Sequence, residues 1–196
     1  MSTDLHSEAL RRFQALFTKA QDLDIPEPAA MSLATVAPDG RPSIRTVLLK
    51  AFDERGFVFY TNLHSRKGQQ LHVNPNAAIC FFWQALMEQV LVEGQVQPVS
   101  DTEADAYWGT RERMNQIGAW ASRQSEALSE RALLEKQYME FERRFSGQAV
   151  PRPKHWSGFR LQPQLIEFWQ SRAGRLHARE RYFIEQGRWQ RQLIYP

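Results

Sequence analysis

The sequence is poor in the features that mark secreted, metal-binding and membrane proteins. Its 196 residues include one cysteine, Cys80, so no disulfide can form within the chain and nothing indicates an oxidising compartment. The five histidines are scattered and do not match the spacing of a metal site, so we expect no bound metal. No apolar run approaches the roughly 20 residues that a membrane span needs, and the N-terminal residues lack a secretion signal. We therefore expect a cytoplasmic protein with no membrane partner.

An excess of one charge and the common nucleotide-binding motifs are also missing. The 25 basic and 22 acidic residues are interspersed, and their formal net charge of +3 is too small to indicate nucleic acid as a partner. The spacings G-x-G-x-x-G, G-x-x-x-x-G-K and G-x-S-x-G do not occur. Their absence argues against a Rossmann dinucleotide site, a P-loop and an α/β-hydrolase nucleophile elbow.

Alternating apolar residues, typical of β-strands, are frequent along the chain. Strands are predicted at 31–37, 43–50, 57–61, 77–83, 89–96, 156–161, 165–169, 181–184 and 189–195. Because closing a sheet removes its exposed edges, the pattern predicts a barrel of about six to eight strands with helices packed outside. The fold class is therefore mainly β with α (α+β). We expect residues 1–29 to form an N-terminal helical extension and 30–196 to form one domain.

Four helices are predicted from apolar stripes and capping residues. The first covers 5–20, and Ser65 is expected to cap a short one. Ser100 and Glu103 have the spacing of a capping box, and Ser129 is expected to cap a longer helix. The segment 111–125 between the last two helices is predicted to be irregular.

Cationic and hydroxyl side chains accumulate around the strand at 45–50 and its partner. Arg45 and Lys50 bracket the first strand, and Ser65, Arg66 and Lys67 follow the second at a helix start. Guanidinium, ammonium, hydroxyl and helix N-terminal N–H groups are the donors that a phosphate needs. Basic charge at a helix start also opposes the helix dipole, which favours a compensating anion. The alternative is a solvated helix start with unrelated charges.

A second cationic set comprises Lys50, Tyr107 and Arg111. These residues converge if the helix that begins near Ser100 packs across the barrel, and two such sets in one domain would indicate two phosphorylated ligands. From spacing alone, an ordinary amphipathic helix end explains Tyr107 and Arg111 better.

A third set lies at 175–179, where Arg175, His177 and Arg179 occupy alternating positions. On a strand these side chains would share one face, and His177 has the chemistry of an acid or base near neutral pH. The alternative is an exposed sheet edge that is protected by charge.

Five motifs occur in a fixed order that resembles the pyridoxine/pyridoxamine 5′-phosphate oxidases. They are Arg-Thr-Val-Leu-Leu-Lys from 45, Phe-Tyr-Thr-Asn-Leu-His-Ser-Arg-Lys from 59, Gln-Ile-Gly-Ala-Trp-Ala-Ser-Arg-Gln-Ser from 116, Glu-Phe-Trp-Gln from 167 and Arg-Leu-His-Ala-Arg from 175. The resemblance runs from about Ala30 to the C-terminus. It implies an FMN-binding split β-barrel with a C-terminal dimerisation region, and a homodimer with FMN at the subunit interface. The implied reaction is oxidation of a phosphorylated B6 vitamer by O2 to pyridoxal 5′-phosphate and H2O2.

The resemblance also implies which residues bind each ligand. The FMN contacts would be Arg45, Thr46, Val47, Leu48, Leu49, Lys50, Tyr60, Thr61, Arg66, Lys67, Gln89, Gln124, Ser125, Trp169 and Arg179. The substrate contacts would be Lys50, Tyr107, Arg111, Asn115, Arg175, Leu176 and His177. Arg175 and His177 would be the catalytic pair that closes over the substrate ring.

The chain departs from the family pattern at several positions. Asn115 stands where the family usually has serine, Glu112 follows Arg111 in place of proline, and Ala178 replaces an acidic residue. The C-terminal ending is also altered. These changes concern the substrate more than FMN, so two alternatives remain: a phenazine-pathway FMN oxidase, and a non-catalytic split-barrel protein that binds flavin or pyridoxal phosphate. Retention of Lys50, Tyr107 and Arg111 favours a phosphorylated substrate.

Overall fold

A computed structural model describes residues 4–23 and 25–196, which form one antiparallel sheet and five α-helices. The strands are β1 Ala30–Val36, β2 Pro42–Leu48, β3 Ala51–Asp53, β4 Gly56–Asn62, β5 Asn76–Trp83, β6 Glu88–Pro98, β7 Trp156–Gln170, β8 Ala178–Glu185 and β9 Arg188–Ile194. The helices are α1 Leu5–Asp22, α2 Arg66–Val73, α3 Asp101–Thr110, α4 Arg113–Ala121 and α5 Arg131–Arg144. Two 3₁₀ turns lie at Gln84–Leu86 and Ala173–Arg175.

The sheet has the strand order β2-β1-β5-β6-β7-β4-β3, and β8 and β9 extend it from β7. Strand β2 approaches β4, so the sheet curls into a half-barrel. The 15-residue strand β7 is the centre of this arrangement, because it pairs with β6 along most of its length, with β4 through its first half and with β8 through its second half. The described chain has nine strands, one above the predicted upper limit of eight for the barrel, and β3 is the one that the strand predictions omitted.

Strand β7 was wrongly predicted as two strands. It continues through Pro163, where the register with β6 shifts at Glu93 and Gly94. A Cβ on Gly94 would lie 1.9 Å from the carbonyl oxygen of Gln162, so only glycine permits this close approach. The resulting bulge bends the strand without ending it, which accommodates a proline inside the sheet.

Helix α1 shares one hydrophobic core with the sheet. Asp4 caps its first turn, and its apolar face buries Ala9, Leu10, Phe13, Leu16 and Ala20. The ring of Phe13 meets those of Phe52 and Phe57 edge to face, at centroid distances of 4.8 and 5.0 Å. The predicted N-terminal helix is thus confirmed, and its face packs directly against the barrel.

Helices α3, α4 and α5 form a second cluster around Trp108, Ile117, Phe145, Val150 and Trp156. The capping box at Ser100 and Glu103 is confirmed. The prediction of an irregular segment at 111–125 was wrong, because α4 lies within it.

Two further local predictions were wrong. Helix α5 begins after Glu130, which makes no side-chain capping bond, and not after a Ser129 cap. The alternating set at 175–179 does not share a strand face, because Arg175 lies in a 3₁₀ turn with φ of 60° and β8 begins only at Ala178.

No helix of the described chain is long and apolar enough to cross a membrane. Within the same residues, no three His, Cys, Asp or Glu side chains gather closely enough to hold a metal ion.

Candidate active site

A cavity of about 490 Å³ lies between one end of the half-barrel and helices α3 and α4. It is lined by Arg45, Thr46, Val47, Leu48, Lys50, Tyr60, Thr61, Asn62, Lys67, Tyr107, Arg111, Met114, Asn115, Gly118, Ala119, Ser122, Gln124 and Trp156. Four of these side chains are cationic, and none of these lining residues of the described chain carries a carboxylate. A cavity of this size and charge is suited to an anionic ligand of moderate size.

Arg45 projects from β2 and is held by neutral partners. Its Nη1 donates to Thr35 Oγ1 at 2.5 Å and to the carbonyl oxygen of Leu33 at 3.2 Å, and its Nη2 donates to Ser43 Oγ at 2.6 Å. Burial lowers the pKa of Arg45, and the nearby charge of Arg66 lowers it further. These bonds orient the guanidinium but do not neutralise its charge.

Lys67 lies in the first turn of α2, whose N-cap is Ser65. Its Nζ donates to Thr61 Oγ1 and Gln124 Oε1, both at 3.0 Å, and to Ser65 Oγ at 3.3 Å. Burial, with a smaller contribution from the charge of Arg45, lowers the pKa of Lys67 from 10.5 to about 8. The predicted cap is confirmed, and it places an ammonium group where no carboxylate of the described residues pairs with it.

Tyr107 and Arg111 come from the end of α3, and the structure brings them to the same cavity as Lys50. The ring of Tyr107 stacks on that of Tyr60 at a centroid distance of 4.1 Å. Arg111 Nη2 donates to the carbonyl oxygen of Asn115 at 3.2 Å, whereas its buried Nε finds no hydrogen-bond partner among the described residues. Burial lowers the pKa of Arg111. A buried donor without a partner costs free energy, so Arg111 is held at the cavity with hydrogen-bonding capacity that the described residues do not use.

Asn115 lines the cavity, but its side chain is engaged elsewhere. Its Nδ2 donates to Glu112 Oε2 at 3.2 Å. The amide that replaces the usual serine is therefore tied to a carboxylate at the start of α4.

A second group of expected site residues lies outside this cavity. Gln89 on β6, Trp169 on β7 and Arg179 on β8 are direct cross-strand neighbours. Arg179 Nε donates to Glu167 Oε1 at 2.8 Å. The ring of His177 lies 4.8 Å from that of Trp169. We call these residues, together with the exposed Arg175 and Leu176, the β8 group.

Three more of the expected residues do not line the cavity. Leu49 is buried in the core below it. Arg66 is exposed beside the site, and Ser125 is exposed next to Gln124 with φ of 76°.

Sequence reasoning missed several lining residues. Asn62, Met114, Gly118, Ala119, Ser122 and Trp156 belong to the cavity but not to the expected set. Most of them lie on or beside α4, the helix that was not predicted. The high aromatic content of the chain was noted, but it does not distinguish Trp156 as a site residue from a tryptophan of the core.

Comparison with known families identifies the chain. A model described as pyridoxamine 5′-phosphate oxidase matches residues 17–145. The chain belongs to the pyridoxamine 5′-phosphate oxidase family. A second model, described as the pyridoxine 5′-phosphate oxidase C-terminal dimerisation region, matches residues 156–196. The family resemblance drawn from the five motifs is thereby confirmed.

Individual relatives and solved structures agree with membership of the oxidase family. Proteins named pyridoxine/pyridoxamine 5′-phosphate oxidase include one from Myxococcus xanthus, 53% identical over 189 residues and covering 96% of this chain and 92% of that one. Another, from Alkalilimnicola ehrlichii, is 52% identical over 194 residues and covers 98% and 99%.

Two crystal structures share the fold. That of PhzG from Burkholderia lata in complex with tetrahydrophenazine-1-carboxylic acid is 32% identical, with a TM-score of 0.91 and coverage of 95% and 92%. That of a pyridoxamine 5′-phosphate oxidase-related, FMN binding protein from Nostoc punctiforme is 20% identical, with a TM-score of 0.74 and coverage of 95% and 97%. The predicted split-barrel fold is therefore confirmed.

Proposed function

We propose that this protein oxidises pyridoxine 5′-phosphate or pyridoxamine 5′-phosphate with O2, using FMN as its cofactor. The products are pyridoxal 5′-phosphate and H2O2, with ammonia when the substrate is the amine. The observation that carries the proposal is one cavity with two separate sets of phosphate donors, in a chain of the oxidase family. One set contains Arg45 and Lys67, and the other contains Tyr107 and Arg111.

The residues present fit FMN. Arg45 and Lys67 have cationic groups without negative partners, and the first turn of α2 adds N–H groups and a helix dipole that favour a phosphate. We assign the FMN phosphate to these groups, with the exposed Arg66 closing over it. When bound, FMN supplies the acceptor for the hydride that leaves the C4′ carbon of the substrate.

The second set fits the substrate phosphate. Arg111 has free donors and a buried Nε without a partner, Tyr107 presents a hydroxyl, and Lys50 is an exposed ammonium group. A guanidinium binds phosphate with two parallel bonds, whereas lysine acts as a point charge. The task of these residues is to fix the vitamer so that its reacting carbon faces the flavin.

A second copy of the chain completes the site in this proposal. The β8 group does not reach the cavity of its own protomer, although the family resemblance assigns it to both ligands. Residues 156–196 match a dimerisation region, and large apolar side chains there are exposed, including Leu176 and Leu193 at 75% and Tyr195 at 94%. We propose a homodimer in which Arg175 and His177 of one protomer close over the substrate in the cavity of the other.

A phenazine oxidase is the second candidate, because the PhzG structure superposes with a TM-score of 0.91. Its identity of 32% is well below the 53% of the Myxococcus xanthus oxidase. We therefore favour the B6 vitamer.

Oxygen uptake tests the proposal. Purified protein reconstituted with FMN should consume O2 and release H2O2 with pyridoxine 5′-phosphate and with pyridoxamine 5′-phosphate, and not with unphosphorylated pyridoxine. Flavin binding without peroxide from either phosphorylated vitamer would support a carrier and contradict the proposal.

A further inference from the structure

Trp156, the first residue of β7, lines the cavity with Lys50, Tyr107 and Arg111, which we call the substrate-phosphate set. Its ring contacts the aromatic side chains there. It is 4% exposed, and its ring is nearly parallel to that of Tyr60, with a centroid distance of 5.3 Å and an interplanar angle of 5°. Its ring is also nearly parallel to that of Tyr107, at 6.1 Å and 9°. The indole therefore backs both tyrosines that line the cavity.

The same indole holds Arg111. The guanidinium carbon of Arg111 lies 4.8 Å from the ring centroid of Trp156, within the range of a cation–π contact. None of the ion pairs formed by the described residues includes Arg111. Arg160 shows the opposite arrangement, because Asp53 and Glu103 bind its Nη1 and Nη2 at 2.8 and 2.7 Å.

A carboxylate and an aromatic ring differ in which hydrogen-bond donors of an arginine they leave available to a ligand. A carboxylate binds the N–H groups at the guanidinium edge and neutralises the charge, so it competes with a phosphate for the same donors. An aromatic face attracts the cation from above and leaves the edge donors available. Arg111 is thus oriented without being neutralised, which is the condition that an anion site needs.

We infer that Trp156 is a positioning residue for the phosphate of the substrate. Its indole face orients Arg111 directly, and together with Tyr60 it orients Tyr107. This inference rests on the proposed function for the identity of the anion. It assigns Trp156 to substrate affinity and not to the chemical step or to FMN binding.

The test compares three variants as FMN-loaded protein. Trp156→Leu removes the aromatic face, and Trp156→Phe keeps a smaller one. Trp120→Leu is the matched control, because Trp120 packs on Phe141 and Phe145 in the same helical cluster but does not line the cavity. Oxygen uptake gives kcat and KM, and inorganic phosphate serves as a competitive inhibitor that reports on the anion site alone.

Loss of a desolvated cation–π contact should raise KM and the phosphate inhibition constant of Trp156→Leu by about tenfold. The kcat should stay within about twofold, and Trp156→Phe should lie between Trp156→Leu and wild type. The affinity for FMN should change less than the phosphate inhibition constant, because Trp156 can reach FMN only through Tyr60. Trp120→Leu should leave KM and phosphate inhibition unchanged. An unchanged phosphate inhibition constant in Trp156→Leu, or an equal change in Trp120→Leu, would overturn the inference.

A double-mutant cycle decides the matter if Trp156→Leu does not fold. The effect of Trp156→Phe on phosphate binding should shrink in an Arg111→Met background, because only the contribution through Tyr107 remains, and an undiminished effect there would refute the inference. If the wild type oxidises neither vitamer, the proposed function fails. Calorimetric titration of the FMN-loaded variants with inorganic phosphate then still tests the role of Trp156.

Discussion

At the scale of residues, the cavity is lined by four cationic side chains, and none of its described lining residues carries a carboxylate. Arg45 is bonded to the hydroxyls of Thr35 and Ser43, and Lys67 to those of Thr61 and Ser65. Hydroxyl groups orient a cation but supply no opposite charge. The pKa of Lys67 is lowered accordingly, because burial beside Arg45 makes its protonated form costly until an anion binds.

This arrangement predicts that FMN affinity depends on pH. In the free protein the pKa of Lys67 is about 8, and a bound phosphate must raise it, since opposite charge favours the protonated form. Below pH 8 the free protein already carries the proton, and affinity should be flat. Above pH 8 binding must take up a proton, so affinity should fall by up to about tenfold per pH unit. Fluorescence titration of the apoprotein with FMN from pH 7 to 9.5 measures this.

Lys67→Arg is the control for the pH dependence, because arginine keeps its charge throughout this range. Its FMN affinity should not decline between pH 8 and 9.5. A wild-type profile that stays flat across the same range would show that Lys67 does not bind the phosphate.

Much of the cationic set could be predicted because charge near an apolar strand is itself a signal. Arg45 and Lys67 were proposed from residue type and position, whereas spacing alone favoured an ordinary helix end for Arg111. The structure brings all three to one cavity. The role of Trp156 in the site could not be predicted, because a buried tryptophan in a chain rich in aromatic residues is indistinguishable from an ordinary core residue. Its role depends on which side chains stack on it, and sequence spacing does not contain that information.

At the scale of elements, helix α1 is joined to the barrel by its apolar face. Leu16 is 6% exposed and belongs to the main core, whereas Leu23 at the end of the same helix is 54% exposed. The two leucines therefore form a matched pair for measuring what the helix contributes.

Leu16→Ala should lower the free energy of unfolding by about 2–5 kcal/mol, because it removes buried methyl groups and leaves a cavity. Leu23→Ala should change it by no more than about 0.5 kcal/mol. Urea denaturation of the FMN-loaded proteins gives both values. Equal effects in the two variants would mean that the helix does not dock as described.

The elements that were predicted well have strong local patterns. Burial alternates along strands β1, β5 and β6, α1 has a clear apolar stripe, and α3 has a clear capping box. Helix α4 was missed because it buries little, with Ile117 and Ala121 as its buried residues. The continuity of β7 was missed because Pro163 reads as a strand end unless the partner strand has a glycine at the bulge.

At the scale of the whole molecule, strand β7 separates the cationic cavity from the β8 group. Its first half pairs with β4, which lines the cavity, and its second half pairs with β8, which carries Arg179. The two parts of the expected site thus lie on different regions of one protomer. Periodicity predicts neither the convergence of Lys50, Tyr107 and Arg111 nor this separation, since both depend on how distant segments pack. The resemblance to the family supplied the expected residues of both regions, but not the six further residues that line the cavity.

A heterodimer tests the central claim, which is that each active site combines the cavity of one protomer with the β8 group of its partner. Lys67→Met should abolish FMN binding and Arg175→Ala should abolish turnover, so each homodimer should be nearly inactive. Co-expression with two different affinity tags allows the mixed dimer to be purified. One of its two sites then contains both defects and the other contains neither.

The mixed dimer should recover about half of the wild-type oxygen uptake per dimer, because a two-fold symmetric assembly has two such composite sites. Its FMN content should likewise be about one per dimer. A mixed dimer as inactive as its parents would show that Lys67 and Arg175 act within the same protomer, and would contradict the account.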